Sequence, residues 1–323
     1  MTILDTQAVP GDRAQAVLER LGGVVLGQEE VLRHMMVALL AGGHALMEGV
    51  PGTAKTLSIR ALALALELRF GRVQFTPDLM PTDLVGVNML DELKREFVYH
   101  PGPIFTDLLL ADEINRAPAK TQAALLEAMA ERQVTVDGKT RRLPASFTVF
   151  ASQNPVEYEG TYPLPEAQLD RFLLKIVIGY PSAEAERAIL DRYAGGFSAD
   201  RADSYGLRPM MSAAQLTELR VAVEAVHVEP SVRDYITRIV RATRDEPTLA
   251  LGASPRASVA LFLASRAEAL LSGRDFVTPD DVKALALPVL RHRVTLTPEA
   301  EVEGRTVDER LTGLLQTLPA PTR

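Results

Sequence analysis

No cysteine occurs in this chain, which removes disulfides and thiolate metal sites from consideration. Long apolar runs are also missing: Ala61 to Leu66, one of the longest, falls far short of the roughly 20 residues that span a bilayer. No membrane segment is expected. The opening MTILDTQAVPGDR has neither the basic nor the apolar region of a signal peptide, so the expected location is cytoplasmic. Nor is there a basic surplus. A net charge of -7 and a pI near 5.4 make nucleic acid an unfavoured partner, although a local basic loop is compatible with that balance. What is present is 323 residues, 47% of them apolar, enough for a large core and, on length alone, about two domains.

The first half alternates short apolar runs with helical patterns, the signature of a mainly parallel α/β sheet. After Gln28, residues Val31, Leu32, Met35, Met36, Leu39 and Leu40 recur at helical spacing, and Gly42-Gly43 closes that segment. His44 to Met47 then reads as a strand. Directly after it stands Gly49-Val50-Pro51-Gly52-Thr53-Ala54-Lys55-Thr56, one residue short of a phosphate-binding loop, with Ala54 where glycine is usual. Lys55 opens an apolar helical run through Leu68, so the loop has the strand-loop-helix setting that the motif needs. In such a loop, successive N–H groups and a helix N-terminus face one concavity and favour phosphate. Lys55 would reach the β and γ phosphates and Thr56 would offer its hydroxyl to magnesium. Ala54 is harmless at helical angles and costs about 1 kcal/mol or more if its φ must be positive. Without the functional reading, the segment is a Gly-Pro turn capping a core helix.

Leu108 to Ala111 is an apolar run ending in Asp112-Glu113, which suits a buried strand delivering two carboxylates at its C-terminal edge. Asp112 would hold magnesium and Glu113 would orient the attacking water; the plain alternative is an acidic cap on the following helix. A further strand, Phe147 to Ser152, ends at Gln153-Asn154-Pro155, where Asn154 either holds a water or phosphate oxygen at the same edge or makes an ordinary Asn-Pro turn. Arg132 to Leu143 alternates around Asp137-Gly138 and predicts a β-hairpin. Val87 to His100 is a second candidate hairpin. From Pro181 onward the pattern is helical: Ser182 to Tyr193 leads out of the sheet domain, Ala194 to Leu207 is loose enough for a linker, and Thr278-Pro279-Asp280-Asp281 marks a helix start. Leu318 to Pro321 is expected to fray.

Taken in order, GVPGTAKT, LLLADEINRAP, SQNP, YPLPEAQLDRF and GASPRA resemble the MoxR family of AAA+ ATPases over roughly residues 20 to 295. That family, like the related MCM helicases, tolerates alanine before the lysine. The resemblance implies an AAA+ P-loop NTPase core with two β-hairpin inserts (residues 1–200) followed by an α-helical lid (residues 201–323). It implies ATP and magnesium as cofactors, assembly into a ring, expected to be a hexamer, and chaperone-like remodelling or metal-cofactor maturation of client proteins, often with a von Willebrand factor A domain partner. By resemblance, Asn154 matches sensor 1, Arg171 the arginine finger acting on a neighbouring subunit's ATP, and Arg256 sensor 2 closing on the γ-phosphate. Locally, Arg171 could equally pair with Asp170 or Glu166, and Arg256 reads as a solvated surface arginine. Val25-Leu26-Gly27-Gln28 resembles the segment that packs on adenine. The hairpins resemble pore-facing inserts, with Phe97 and Tyr99, or the basic tip from Lys139 to Arg142, as expected client contacts; ordinary hairpin packing is the alternative. Two other functions stay open, the motor of a magnesium-chelatase type complex and an ATP-gated scaffold with little turnover.

Overall fold

A computed structural model of the protein describes residues 10–91, 93, 95–154 and 161–321; Pro155 of the SQNP run lies outside them. The chain begins with α1 (Pro10–Gly22) and α2 (Glu29–Leu40), then β1 (Ala45–Glu48), α3 (Lys55–Ala65) and β2 (Phe70–Gln74). A short α4 (Pro81–Val85) leads into a hairpin of β3 (Gly86–Asp91) and β4 (Glu96–Pro101), followed by β5 (Leu108–Asp112) and α5 (Ala119–Glu131). A second hairpin, β6 (Gln133–Val136) and β7 (Lys139–Arg142), precedes β8 (Thr148–Gln153), α6 (Glu166–Leu169), β9 (Leu174–Val177) and α7 (Ala183–Ala194).

Five strands form one parallel sheet in the order β2-β5-β8-β1-β9. Its central strands are buried on both faces, and alternation divides them between two cores. Leu108 and Leu110 face a cluster with Met35, Leu39 and Ile59, whereas Leu109 and Ala111 face another with Leu125, Leu126 and Phe147. Both predicted hairpins form. In the second, Asp137 and Gly138 take φ of 50° and 74°, the left-handed pair that a two-residue turn of matching twist requires. The hairpins touch each other: the Arg141 guanidinium lies 3.6 Å from the Tyr99 ring centroid, and the Asn88 amide donates to Asp137.

The C-terminal part comprises α8 (Ala213–Ala225), α9 (Pro230–Asp245), β10 (Leu249–Leu251), α10 (Pro255–Leu271), α11 (Pro279–Leu290), β11 (Thr295–Leu296), α12 (Pro298–Val302) and α13 (Val307–Thr317). Local chemistry starts these helices as expected. Thr278 and Asp281 close a capping box on α11, and Ser254 accepts from the Arg256 N–H at the head of α10. The helices do not form a separate core, because Leu216, Ile239, Leu261 and Leu285 share one apolar cluster with Leu21 and Met36 of α1 and α2. Arg33 of α2 also pairs with Glu268 of α10 through Nε at 2.8 Å. The terminal segment is better anchored than expected: Leu318 and Ala320 pack on that cluster, and the Pro319 carbonyl accepts from Arg238 at 3.3 Å.

His44, just before β1, is fully enclosed. Its Nδ1 accepts from the Val149 N–H at 3.0 Å and its Nε2 donates to the Met129 carbonyl at 3.2 Å, which selects the neutral Nε2–H tautomer. Burial lowers its pKa from 6.5 to about 4. A neutral imidazole in the folded chain thus competes with a charged one in the unfolded chain. The stability this confers is complete above pH 6.5 and is lost as pH falls toward 4. Chemical denaturation of the unaltered chain and His44→Phe at pH 7 and pH 4 is expected to show the gap between them narrowing by about 3 kcal/mol at the lower pH. A gap independent of pH would show that His44 does not titrate.

Candidate nucleotide site

All five strands point the same way, so their last residues lie along one edge of the sheet, and the loop at residues 49–56 springs from that edge. Gly52 takes φ +86°, a turn that glycine makes without a steric penalty. Ala54 does adopt the left-handed conformation, at φ 60° and ψ 19°, so the residue that departs from the usual pattern carries the expected strain. The Lys55 ammonium is lodged over the loop and donates to the Gly49 and Val50 carbonyls. Partial burial lowers its pKa, while Asp112 and Glu113 act in the opposite direction. Thr53 is buried and donates to the Val50 carbonyl at 2.9 Å, holding the loop from beneath.

Lys55, Thr56, Asp112, Glu113 and Asn154 line a single cavity of about 420 Å³, with Pro51, Gly52 and Ala54 on its rim. The structure therefore brings together the phosphate loop, the paired carboxylates and Asn154. Asp112 Oδ1 accepts from Ser152 Oγ at 2.5 Å, and Ser152 Oγ accepts in turn from the Glu113 N–H at 2.9 Å. Glu113 itself takes φ 56°, a left-handed conformation that turns its side chain away from the strand direction. The hydroxyl of Thr56 and the carboxylate of Asp112 are hard oxygen donors in one cavity, and they fit a magnesium ion. When bound with nucleotide, magnesium would neutralise charge on the β and γ phosphates. Lys55 would bind the same phosphates, and Glu113 would align a water for in-line attack.

Several residues that line this cavity, among them Arg72, Gln74, Ser152 and Asp200, were not identified as site residues from the sequence. Arg72 and Gln74, two apart on β2 and so on one face, pair with both carboxylates. Arg72 Nη2 meets Asp112 Oδ2 at 2.8 Å, and Gln74 Nε2 donates to Glu113 Oε2 at 2.6 Å. Arg116 Nε joins Glu113 at 3.0 Å. To accept a proton from water, Glu113 would have to turn from these donors.

Beside the phosphate cavity is an apolar recess of about 180 Å³, walled by Val24, Val25, Leu26, Ile189, Tyr193 and Phe197. It suits a purine ring. Val25 and Leu26 line it as expected, but Gly27 and Gln28 do not. Gly27, at φ +71°, has no room for a side chain, since a Cβ would lie 2.7 Å from the Ala185 Cβ. The Gln28 amide is used on the Gly179 carbonyl at 3.1 Å. Both residues fix the segment's path rather than touch the recess.

Arg171 and Arg256 also stand outside the phosphate cavity. Arg171 precedes β9, whose Leu174 pairs with Ala45 at the start of β1, so it lies at the opposite edge of the sheet from Glu113, a strand's length or about 10 Å away at ~3.3 Å per residue. Its exposed guanidinium donates to the Leu126 carbonyl at 2.8 Å. It pairs with neither carboxylate considered above: Asp170 is held by Arg293 at 2.8 Å and by Ser254 Oγ at 3.1 Å, and Glu166 accepts from Thr295. Ser254 caps the helix that carries Arg256, so Arg256 is placed beside the Arg171 segment. It does not close on the phosphate loop of its own chain.

A strand-loop-helix phosphate cradle, a buried Asp-Glu strand and a helical lid define a P-loop ATPase of the AAA class. A model of the ATPase family associated with various cellular activities matches residues 44–174, and a model of the AAA lid domain matches residues 241–314. Chaperone MoxR1 of Mycobacterium tuberculosis is 44% identical over 92% of this chain and 80% of its own length. The uncharacterized protein YeaC of Bacillus subtilis is 45% identical over 95% and 94%. The 38 kDa magnesium-chelatase subunit of Acidiphilium rubrum is more distant, at 27% over 90% and 95%. A crystal structure of a proposed ATPase from Cytophaga hutchinsonii superposes with a TM-score of 0.89 at 38% identity, covering 97% of this chain and 96% of the other. The chain belongs to the MoxR family of AAA+ ATPases.

The left-handed Ala54 sets up a direct check. Ala54→Gly relieves the strain but gains unfolded-state freedom, so stability should rise by no more than about 1 kcal/mol, with ATP binding retained. Ala54→Val places a β-branched residue at positive φ and should lower stability by about 2 kcal/mol. Thermal unfolding with and without magnesium and ATP reads both effects.

Proposed function

We propose that the protein is a magnesium-dependent ATPase that works as a ring and remodels partner proteins. The observation that carries this reading is the division of its cationic groups. Lys55 serves the phosphate cavity of its own chain, whereas Arg171 and Arg256 are exposed and line no part of it, their segments joined by the Ser254–Asp170 hydrogen bond. A guanidinium in that place acts on a nucleotide only if another subunit presents one, and there it would stabilise charge growing on the transferred phosphoryl group. Each site is then composite, with Lys55, Thr56, Asp112, Glu113 and Asn154 from one subunit and Arg171 and Arg256 from the next.

Glu113→Gln and Arg171→Ala should each lower ATP turnover by at least about a hundredfold while leaving ATP binding intact. Mixing the two inactive variants should restore part of the activity, because some interfaces then pair an intact Glu113 with an intact Arg171. Turnover per subunit should also climb with protein concentration. An inert mixture, or turnover unaffected by dilution, would remove the shared-site mechanism.

The hairpin pair is the proposed client-facing part, and here the geometry alters the expected residues. Tyr99 is committed, since its hydroxyl donates to the Val85 carbonyl and its ring lies under Arg141. Phe97 is 74% exposed, and Met89, Leu90 and Leu93 are exposed near it on the same hairpin. Four apolar side chains left in water suit an unfolded or extended polypeptide. Phe97→Ala should abolish stimulation of the ATPase by a client protein with no loss of stability, whereas Tyr99→Ala should chiefly destabilise the hairpin pair. Unchanged stimulation in Phe97→Ala, measured with turnover and thermal unfolding side by side, would exclude the hairpin tip.

A further inference from the structure

The segment after α7 looks like a linker in the sequence, yet it forms a wall of both cavities. Gly52, Ala54, Leu57 and Ala199 line the phosphate cavity and the apolar recess alike, so they mark the passage between them. Asp200, the next residue, lines the phosphate cavity only. The backbone here is firmly held. Arg60 Nη1 donates to the Ala199 and Asp200 carbonyls at 3.4 and 3.1 Å, and the Tyr205 hydroxyl donates to Ala199 at 2.5 Å. The Asp200 carboxylate, by contrast, is exposed and makes no hydrogen bond or ion pair with any described residue.

An adenine nucleotide with its base in the recess and its phosphates on the loop must place its sugar at the residues the two cavities share. A carboxylate beside a triphosphate is electrostatically adverse unless hydrogen-bond donors come to it. The sugar supplies two, the 2′ and 3′ hydroxyls, and a carboxylate has acceptor oxygens for both. We infer that Asp200 recognises the ribose of the bound nucleotide and sets a preference for ribonucleotides over deoxynucleotides. This rests on the proposed ATP site and assigns it a specificity residue.

The test measures affinity, apart from turnover: calorimetric titration of the full-length chain, Asp200→Ala and Asp200→Asn with ATP, 2′-deoxy-ATP and 3′-deoxy-ATP in magnesium. The unaltered chain should bind ATP about tenfold more tightly than at least one deoxy analogue, the effect of a charge-assisted hydrogen bond. Asp200→Ala should bind all three within about twofold of one another. Asp200→Asn, which keeps an acceptor, should fall between. Because the carboxylate supports no contact within the fold, thermal unfolding without nucleotide should be the same for all three proteins. Equal affinities in the unaltered chain, or a preference that survives in Asp200→Ala, overturns the assignment. So does a uniform change in all three affinities, which would place the carboxylate on the phosphates or metal. Failure of the unaltered chain to bind ATP at all would overturn the nucleotide site itself, and with it this inference.

Discussion

Register between the parallel strands β1, β8 and β5 is the constraint on which the nucleotide site depends. Phe150 pairs with Ala45 on one side and Leu110 on the other, so three strands reach the same edge together. Both faces of the sheet are covered, and a slip of one residue would exchange the side chains of one core for those of the other. In register, Ser152 stands where its hydroxyl meets Asp112 and the Glu113 N–H, and Asn154 follows onto the same cavity. Apolar residues that touch no substrate therefore set the positions of all the groups that would.

The other edge of the sheet is held by cations on carbonyl groups. Arg132 donates to the carbonyls of Gly42 and Ala145, and Arg220 of α8 donates to those of Leu39 and Ala145. Helix ends leave carbonyls without partners, and those after α2 receive theirs from these guanidinium groups. Burial, and Arg132 nearby, lower the Arg220 pKa to about 10, which still leaves it charged at neutral pH. The lid is thus fastened to the core at the edge away from the phosphate loop. At the nucleotide edge the connection is the segment that carries Ala199 and Asp200.

How far the sequence could be read depended on whether a residue's role is local. The strand, loop and helix around GVPGTAKT, the Asp-Glu strand, the Asp-Gly hairpin and the Ser and Thr helix caps are local features and formed where expected, although the helix after the loop ends at Ala65, short of the expected Leu68. Ala54 was a local question with two answers, and the backbone angle decided between them. Arg72 and Gln74 were missed because their partners lie about 40 residues away on β5, a pairing that spacing along one strand does not reveal. The packing of Tyr99 under Arg141 is hidden for a similar reason, since Arg141 comes from another hairpin. Of the expected segment Val25-Leu26-Gly27-Gln28, Val25 and Leu26 line the recess together with Val24, whereas Gly27 and Gln28 do not. Apolar residues entering a helix look alike whether they face a ligand or a core, and only the position of Ile189 and Phe197 across the recess separates the two.

Sheet polarity also bears on what a single chain can do. Parallel strands send the phosphate loop, Asp112 and Glu113 to one edge, and they return the chain to the other edge before β9 begins. A guanidinium placed there is separated from its own phosphate loop by the length of the strands. Asp170 then links this position to the lid, because its carboxylate holds both Ser254, the cap of the α10 helix, and the buried Arg293. A shift of Arg171 toward a neighbour's nucleotide would therefore carry the head of α10, and Arg256 with it. In the proposed ring, one carboxylate would couple the two arginines, and the lid of one subunit would respond to its neighbour's nucleotide.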